Sequence, residues 1–322
     1  MKAVVRDRYG SVDVLRLAEI DMPVAGANEV LVRVRAAGVD QGVWHLMAGM
    51  PYVMRVAGFG LRAPKNPLLG YDVAGQVEAV GAEVTALRPG DEVFGTCRGS
   101  FAEYATARAD RLASKPGKLS FEQAAATPIS GYAALQAVRD HGKVRAEQRV
   151  LIIGAGGGVG TFAVQLAKAY GAEVTGVCST AKTELVRSIG ADHVIDYTRD
   201  DPIDGRETYD VIVDIAGNRP LSTLRRALTS RGTLVIVGGE DAGNWLGVRR
   251  QLRATALSPF IKQTLVTYIS KEREEDLQEL RRLLESGAVT PVVDRTFPLE
   301  EVPAAIRYLR DRHARGKIVI TV

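Results

Sequence analysis

The segment "VLIIGAGGGVGTFAVQLAKAYGAEV", residues 150–174, places five glycines within seven positions between an apolar run and a helix-like pattern. Glycines at a strand-to-helix turn let the backbone approach a ligand with no Cβ in the way, and let the helix pack close to its strand. Two registers fit. In G-x-G-x-x-G the places fall on Ala155, Gly157 and Gly160, with one glycine replaced; in G-x-x-G-x-x-G they fall on Gly154, Gly157 and Gly160. In both, Gly157 admits a pyrophosphate to the backbone and Gly160 serves helix packing. Gly158 and Val159 between them begin the helix, whose N-terminus offers free N–H groups and a partial positive charge to phosphates. The alternative is a glycine turn with no ligand.

The next strand ends at Cys178-Ser179-Thr180, with no Asp or Glu to hold a ribose 2′-OH. Ser179 and Lys182 follow, with Arg187 further on. A hydroxyl and a cation suit a 2′-phosphate, which favours NADPH over NADH. The competing reading makes Lys182 and Arg187 part of a solvated helix face.

The elements that must position these residues fall into two groups. A length of 322 residues suggests roughly two domains. The first third is β-rich: residues 30–39 alternate apolar positions with Arg33 and Arg35, and "VAGQVEAVG" and "DEVFG" look alike. Residues 49–67, rich in Pro and Gly, read as a long surface loop. Ser120 and Gln123 form a capping box that opens a helix. Strands are then expected at 149–154, 173–178, 193–196, 210–215, 233–237 and 265–269, with helices between several of them. That alternation argues a parallel sheet covered on both faces. "EEDLQELRRLLESG", with leucines at 277, 280, 283 and 284, predicts an amphipathic helix stopped by Gly287. The tail "GKIVITV" closes as a strand that rejoins the first domain. The expected division is residues 1–124 with 271–322, and 125–270 inserted between.

Composition limits the function classes. Cys97 and Cys178 are the only cysteines, which excludes a disulfide framework and a Cys-x-x-Cys metal site. The start shows no signal-peptide core and no apolar run approaches a membrane span. A soluble protein in a reducing, cytoplasmic setting is expected. The net charge of +4 suits a small polyanionic ligand, while the scattered Lys and Arg do not indicate nucleic acid.

The chain resembles the zinc-independent quinone oxidoreductases of the medium-chain dehydrogenase/reductase superfamily. The likeness covers nearly the whole length, through "VLVRVRAAGV", "LLGYDVAGQVEAVG", "PGDEVFG", "GSFAEYA", "AAATPISGYAALQA", "GAGGGVGTFAVQLAKAYGAEVTGV", "GADHVIDY" and "HARGKIVI". It implies an α/β fold: a doubly wound Rossmann sheet inserted in a GroES-like β-rich domain. It implies a homodimer and an NADPH site. Gly157, Gly158, Val159 and Gly160 match the pyrophosphate turn; Ser179, Lys182 and Tyr197 match positions that meet the 2′-phosphate. Ala216 and Gly217, then Gly238 and Gly239, follow the fourth and fifth strands and match backbone on the nicotinamide side. His313, Ala314 and Arg315 match a tail segment that returns to the cofactor.

Zinc-dependent members of the superfamily bind metal through a Cys after the "AAGV" strand, a Gly-His-Glu and a later Cys. Here Asp40 and Gly70-Tyr71-Asp72 stand in the first two places, and the four-cysteine lobe is absent. Asp40, Asp72 and His45 offer no soft ligand set, so no metal is expected. Without a Lewis acid, alcohol oxidation is disfavoured and hydride delivery to a quinone or α,β-unsaturated carbonyl is favoured. Alcohol or aldehyde oxidoreduction, and non-catalytic NADPH binding, are the alternatives. Asp40 and Tyr71 are the candidate donors to the reduced oxygen. Asp40 must be protonated to donate, and a loop-capping role competes. Trp44, Tyr52 and Trp245, expected in loops, could wall a flat acceptor; core packing is the other account of each.

Overall fold

The computed structural model describes residues 1–52, 54–205, 207–217, 219–237, 249–311 and 314–322. Two short strands, β1 (Lys2–Val5) and β2 (Arg16–Glu19), pair antiparallel. Strand β3 (Glu29–Val39) exposes Arg33 and Arg35 and buries Val30, Val32 and Val34, as its alternation predicts. Helix α1 (Gln41–Ala48) follows directly. The segment read as a loop contains a helical turn at Arg55–Phe59. Strands β4 (Asp72–Val80), β5 (Glu92–Thr96), β6 (Tyr104–Arg108) and β7 (Leu112–Ser114) continue the β-rich region.

Helix α2 (Phe121–Ala125) opens on the expected box: Gln123 N–H donates to Ser120 Oγ, and Ser120 N–H donates to Gln123 Oε1. Helix α3 (Pro128–Leu135) leads into the alternating region: β8 (Arg149–Ile153), α4 (Gly158–Ala169), β9 (Glu173–Cys178), α5 (Thr183–Ser188), β10 (His193–Asp196), β11 (Tyr209–Asp214), α6 (Leu221–Arg226), β12 (Leu228–Ile236), α7 (Arg249–Leu257) and β13 (Thr264–Thr267). These strands form one parallel sheet in the order β10-β9-β8-β11-β12-β13. That is the doubly wound order, and its topological switch point lies between β8 and β11. Continuous apolar runs such as "VLII" fit strands buried on both faces.

After it come α8 (Glu274–Ser286), β14 (Val293–Pro298), α9 (Val302–Arg310) and β15 (Lys317–Thr321). Helix α8 buries Leu277, Leu280 and Leu284 and ends on Gly287 in the left-handed conformation that glycine tolerates. The tail strand β15 pairs antiparallel with β3 and parallel with β14, within a sheet ordered β14-β15-β3-β4-β5-β7, with β6 also on β3.

The chain forms two compact units. One comprises Met1–Ser130, Glu272–Gly287 and Pro291–Val322, with its core around Val32, Val73, Phe101 and Ile318. The other comprises Gly131–Lys271 and Ala288–Thr290, with its core around Leu151, Ile212 and Leu234.

Candidate cofactor and acceptor sites

The glycine turn sits at the C-terminal end of β8, beside the switch point. Gly154 has φ +92°, a conformation that disfavours any side chain. Its N–H and that of Ala155 both donate to the Val177 carbonyl, at 3.1 and 3.0 Å, tying the turn to β9. Ala155 is fully buried, so the register the backbone displays is Gly154, Gly157, Gly160. A Cβ on Gly160 would lie 2.1 Å from the Gly154 carbonyl oxygen, so close helix packing requires glycine there. A Cβ on Gly157 would meet a single neighbour, the Gly154 oxygen at 3.5 Å. The protein itself leaves that space open. Gly157 is the N-cap of α4 and supplies no side-chain cap, which leaves the N–H groups of Gly158, Val159 and Gly160 for an anion. The residues present therefore fit a dinucleotide.

At the end of β9, Ser179 begins a single turn in which Lys182 N–H donates to the Ser179 carbonyl at 2.9 Å. The aliphatic stem of Lys182 lies directly over Gly156: a Cβ built there would be 2.8–2.9 Å from the Cδ and Cβ of Lys182. Sequence reasoning passed over Gly156, and nothing local marks it. Burial pushes the Cys178 thiol up to about 11, Asp196 adds to the shift, and the positive charges of Lys182 and Arg187 oppose it. The carboxylate nearest this corner is committed: Asp196 accepts from Thr180 Oγ1 at 2.5 Å and from the N–H and hydroxyl of Thr198. Tyr197, which follows β10, is 56% exposed, so core packing does not explain it. The Ala216–Gly217 turn after β11 abuts the glycine turn, with Ala216 N 3.3 Å from a Cβ placed on Gly154. Gly217 has φ +72°, and its N–H donates to the buried Asp214 at 3.1 Å. Gly238, Gly239, Trp245 and His313 lie outside the described residues.

In the other unit, Asp40 is the N-cap of α1, with Oδ1 accepting from Val43 N–H at 3.2 Å. The expected loop cap is thus a helix cap. Its Oδ2 is buried without a hydrogen-bond partner. Tyr71 is half-buried; burial raises its phenol pKa, with Arg98 opposing, Glu272 and Asp40 adding, and Arg6 opposing. Asp72 is fully buried, accepting from Ile129 N–H at 2.8 Å on Oδ1 and from Lys317 Nζ at 3.0 Å on Oδ2. Burial pushes its carboxyl up to about 6 against the pull of Lys317, with Asp40 adding to the rise. This pair joins β4, the start of α3 and β15, and no local pattern marks it.

Trp44 lies in α1 and not in a loop, because Asp40 caps a helix that the sequence pattern did not show. Its ring packs partly on the core, with the Arg310 guanidinium 3.9 Å from its centroid. Tyr52 does lie in the irregular segment, its centroid 4.7 Å from the Arg55 guanidinium. Ala314 is buried and Arg315 exposed.

A catalytic zinc does not fit these side chains. Both Asp72 oxygens are taken, one Asp40 oxygen caps a helix, and burial raises the Cys97 thiol well above its ordinary range. His45 Nδ1 lies 3.0 Å from the Met50 carbonyl oxygen. Among the described residues no three His, Cys, Asp or Glu side chains gather as a metal site.

Two family models match: an alcohol dehydrogenase GroES-like domain over residues 26–117, and a zinc-binding dehydrogenase domain over residues 189–320. The NADPH-dependent alkenal/one oxidoreductase of Arabidopsis thaliana chloroplasts is 34% identical, over 99% of this chain and 79% of that protein. The quinone oxidoreductase of Sus scrofa is 31% identical, over 99% of this chain and 97% of that one. The Escherichia coli quinone oxidoreductase solved with NADPH superposes with a TM-score of 0.85 at 25% identity, over 100% of both chains.

Proposed function

The chain belongs to the zinc-independent quinone oxidoreductase-like family of the medium-chain dehydrogenase/reductase superfamily, and on that footing we propose that it reduces quinones or α,β-unsaturated carbonyls at the expense of NADPH. The observation that carries this reading is the glycine turn, whose Gly157 leaves open the space a pyrophosphate needs. NADPH supplies the hydride when bound. The chain's own residues bind and orient. The N–H groups of Gly158, Val159 and Gly160 hold the pyrophosphate, Ser179, Lys182 and Tyr197 the 2′-phosphate end, and Ala216 and Gly217, with Gly238 and Gly239 by family likeness, the nicotinamide end. His313, Ala314 and Arg315 complete the cofactor set by family likeness. The unit built on residues 131–271 is the NADPH-binding domain, and the unit completed by β15 carries the acceptor groups.

On the acceptor side, Asp40 and Tyr71 are the donors to the oxygen that gains negative charge. Asp40 Oδ2 is buried and unpartnered, an arrangement that is unfavourable until the atom meets a hydrogen-bonding group. The Tyr71 phenol, with its pKa raised, stays protonated and available to donate across the neutral range. Trp44, Tyr52 and Trp245 are proposed as the acceptor's aromatic walls.

The protein is further proposed to be a cytoplasmic homodimer. The described cysteines are both buried and free, as a reducing compartment requires. Strand β13 is an outer strand of the parallel sheet, with Phe260 and Ile269 beside it 85% and 89% exposed. No described helix is long and apolar enough to cross a membrane.

An NADPH oxidation assay over quinones, enones, aldehydes and alcohols, with elemental analysis of the purified protein, tests the reading. Turnover of quinones or enones, insensitive to chelators and without stoichiometric zinc, is expected. Turnover confined to alcohols and aldehydes, or lost to a chelator, refutes it.

A further inference from the structure

Gly156 and Gly158 are the two glycines of the turn that neither register uses, and Gly156 alone of them precedes the helix. Its backbone does not demand glycine, since Gly156 is absent from the positive-φ positions of the chain. Its side-chain space is nonetheless filled, by Lys182. A Cβ on Gly156 would stand 2.8 Å from Lys182 Cδ, 2.9 Å from Cβ and 3.3 Å from Cγ, so three atoms of the stem lie along the glycine. The Lys182 backbone cannot easily retreat. Its N–H is bonded to Ser179, the turn it ends is held by Thr180 to Asp196 and Thr198, and Thr183 Oγ1 donates back to the Thr180 carbonyl.

We propose that Gly156 is a specificity-determining residue for the phosphorylated nicotinamide cofactor, acting as the seat on which the Lys182 stem is laid toward the 2′-phosphate. This rests on the reading of Lys182 as the 2′-phosphate cation. A lysine stem has several free rotors, and a stem already lying in place loses less freedom when its ammonium meets a phosphate. The Cβ contacts on Gly156 involve Lys182 Cβ as well as its outer atoms, so a methyl there displaces the whole stem and not only its tip. Gly156 is a positioning residue: it touches Lys182, not the phosphate.

The test is a double-mutant cycle read by equilibrium binding of NADPH and of NADH to the purified protein. Lys182→Ala is expected to weaken NADPH by roughly ten- to a hundredfold and NADH hardly at all. Gly156→Ala is expected to weaken NADPH by about tenfold while leaving NADH within about twofold, a loss that fits inside the Lys182 contribution. In a Lys182→Gly background, which removes the Cβ that lies 2.9 Å from a Gly156 methyl as well as the rest of the stem, Gly156→Ala should change neither cofactor further. If Gly156→Ala weakens NADH as much as NADPH, or weakens NADPH further when Lys182 is already glycine, Gly156 serves the pyrophosphate and the proposal fails. If NADPH binding to Gly156→Ala is unchanged, the stem needs no seat and the proposal also fails. If Lys182→Ala leaves the preference for NADPH intact, the cofactor reading itself falls. Should Gly156→Ala not fold, the Gly156→Ala/Lys182→Gly protein, which has no side-chain atom against residue 156, settles the question: NADPH affinity equal to that of Lys182→Gly sustains the proposal, and a further loss overturns it.

Discussion

Replacing Lys317 with methionine isolates the buried pair beneath Tyr71. Lys317 and Asp72 have side chains 2% and 0% exposed, 3.0 Å apart. With the cation present, burial already pushes the Asp72 carboxyl to about 6, against about 3.9 in an unfolded chain. A group whose folded pKa is raised contributes stability that is complete below its unfolded pKa and is lost as pH rises through the folded value. In the wild type that loss is spread over about pH 4 to 6, amounts to about 3 kcal/mol, and then levels off. In Lys317→Met the cation that opposes burial is gone. The carboxyl then stays neutral well above pH 6, and stability keeps falling at about 1.4 kcal/mol per pH unit. The gap between variant and wild type should therefore widen from pH 6 upward, by about 1.4 kcal/mol at pH 7 and about 3 kcal/mol at pH 8, on top of a constant packing term. Urea unfolding at pH 5, 6, 7 and 8, with m checked for constancy, measures this. The Asp72→Leu/Lys317→Met protein has no carboxyl to titrate, so its gap to the wild type should be constant between pH 7 and 8, where the wild type has levelled off, and near zero or stabilising there. Parallel pH curves for Lys317→Met and wild type would show that Asp72 is not desolvated and paired in this way, and the account of the pair would be refuted.

Two contrasts test the remaining site residues. Gly157→Val should abolish measurable NADPH binding with little effect on the thermal midpoint, whereas Gly160→Val, forced against the Gly154 carbonyl, should destabilise the fold by about 1–3 kcal/mol or more; melting curves and cofactor titration of both proteins separate the roles. Asp40→Asn should keep the α1 cap and offer a non-titrating donor at the same place, so stability and enone turnover persist. Asp40→Ala should cost about 0.5–2 kcal/mol of stability and most of the turnover; equal turnover in the two variants would remove Asp40 from the donor role.

Local signals in the chain were read well and long-range ones poorly. The turn at Gly154–Gly160, the box at Ser120 and Gln123, and the leucines of α8 each declare themselves within a few residues, and each is found where its pattern placed it. Strand β12 begins at Leu228, ahead of the expected 233, because the polar "TSRG" imitates a turn while Leu228 pairs with Tyr209 across an irregularity in register. The start of α1 was hidden for a similar reason: "DQG" reads as a loop until Asp40 is seen to cap Val43. Asp72 and Lys317 are separated by almost the whole chain, and "GKIVITV" shows only a strand with one charge at its start. Nothing local says that this lysine points inward, since that depends on the pairing of β15 with β3. Gly156 was missed because its partner lies on the next β/α unit and the phosphate motif draws attention to its neighbours.

The two carboxylates that stand where metal-dependent relatives carry ligands are both spent on architecture. Asp72 holds β4 to α3 and β15, and one oxygen of Asp40 starts α1. The two donors proposed in that unit are then the carboxyl of Asp40, with one unpartnered oxygen, and the phenol of Tyr71. As donors they would stabilise an oxyanion, while drawing hydride from an unactivated alcohol calls for an alkoxide that a metal ordinarily supplies. An acceptor that is already electron-poor needs only the first of these. The division also predicts where damage should appear. Changes at Gly156, Gly157 and Lys182 belong to cofactor affinity, and changes at Asp40 and Tyr71 belong to turnover with NADPH affinity intact. If Tyr71→Phe weakened NADPH binding as much as Lys182→Ala does, this assignment of cofactor and acceptor groups to separate units of the chain would be wrong.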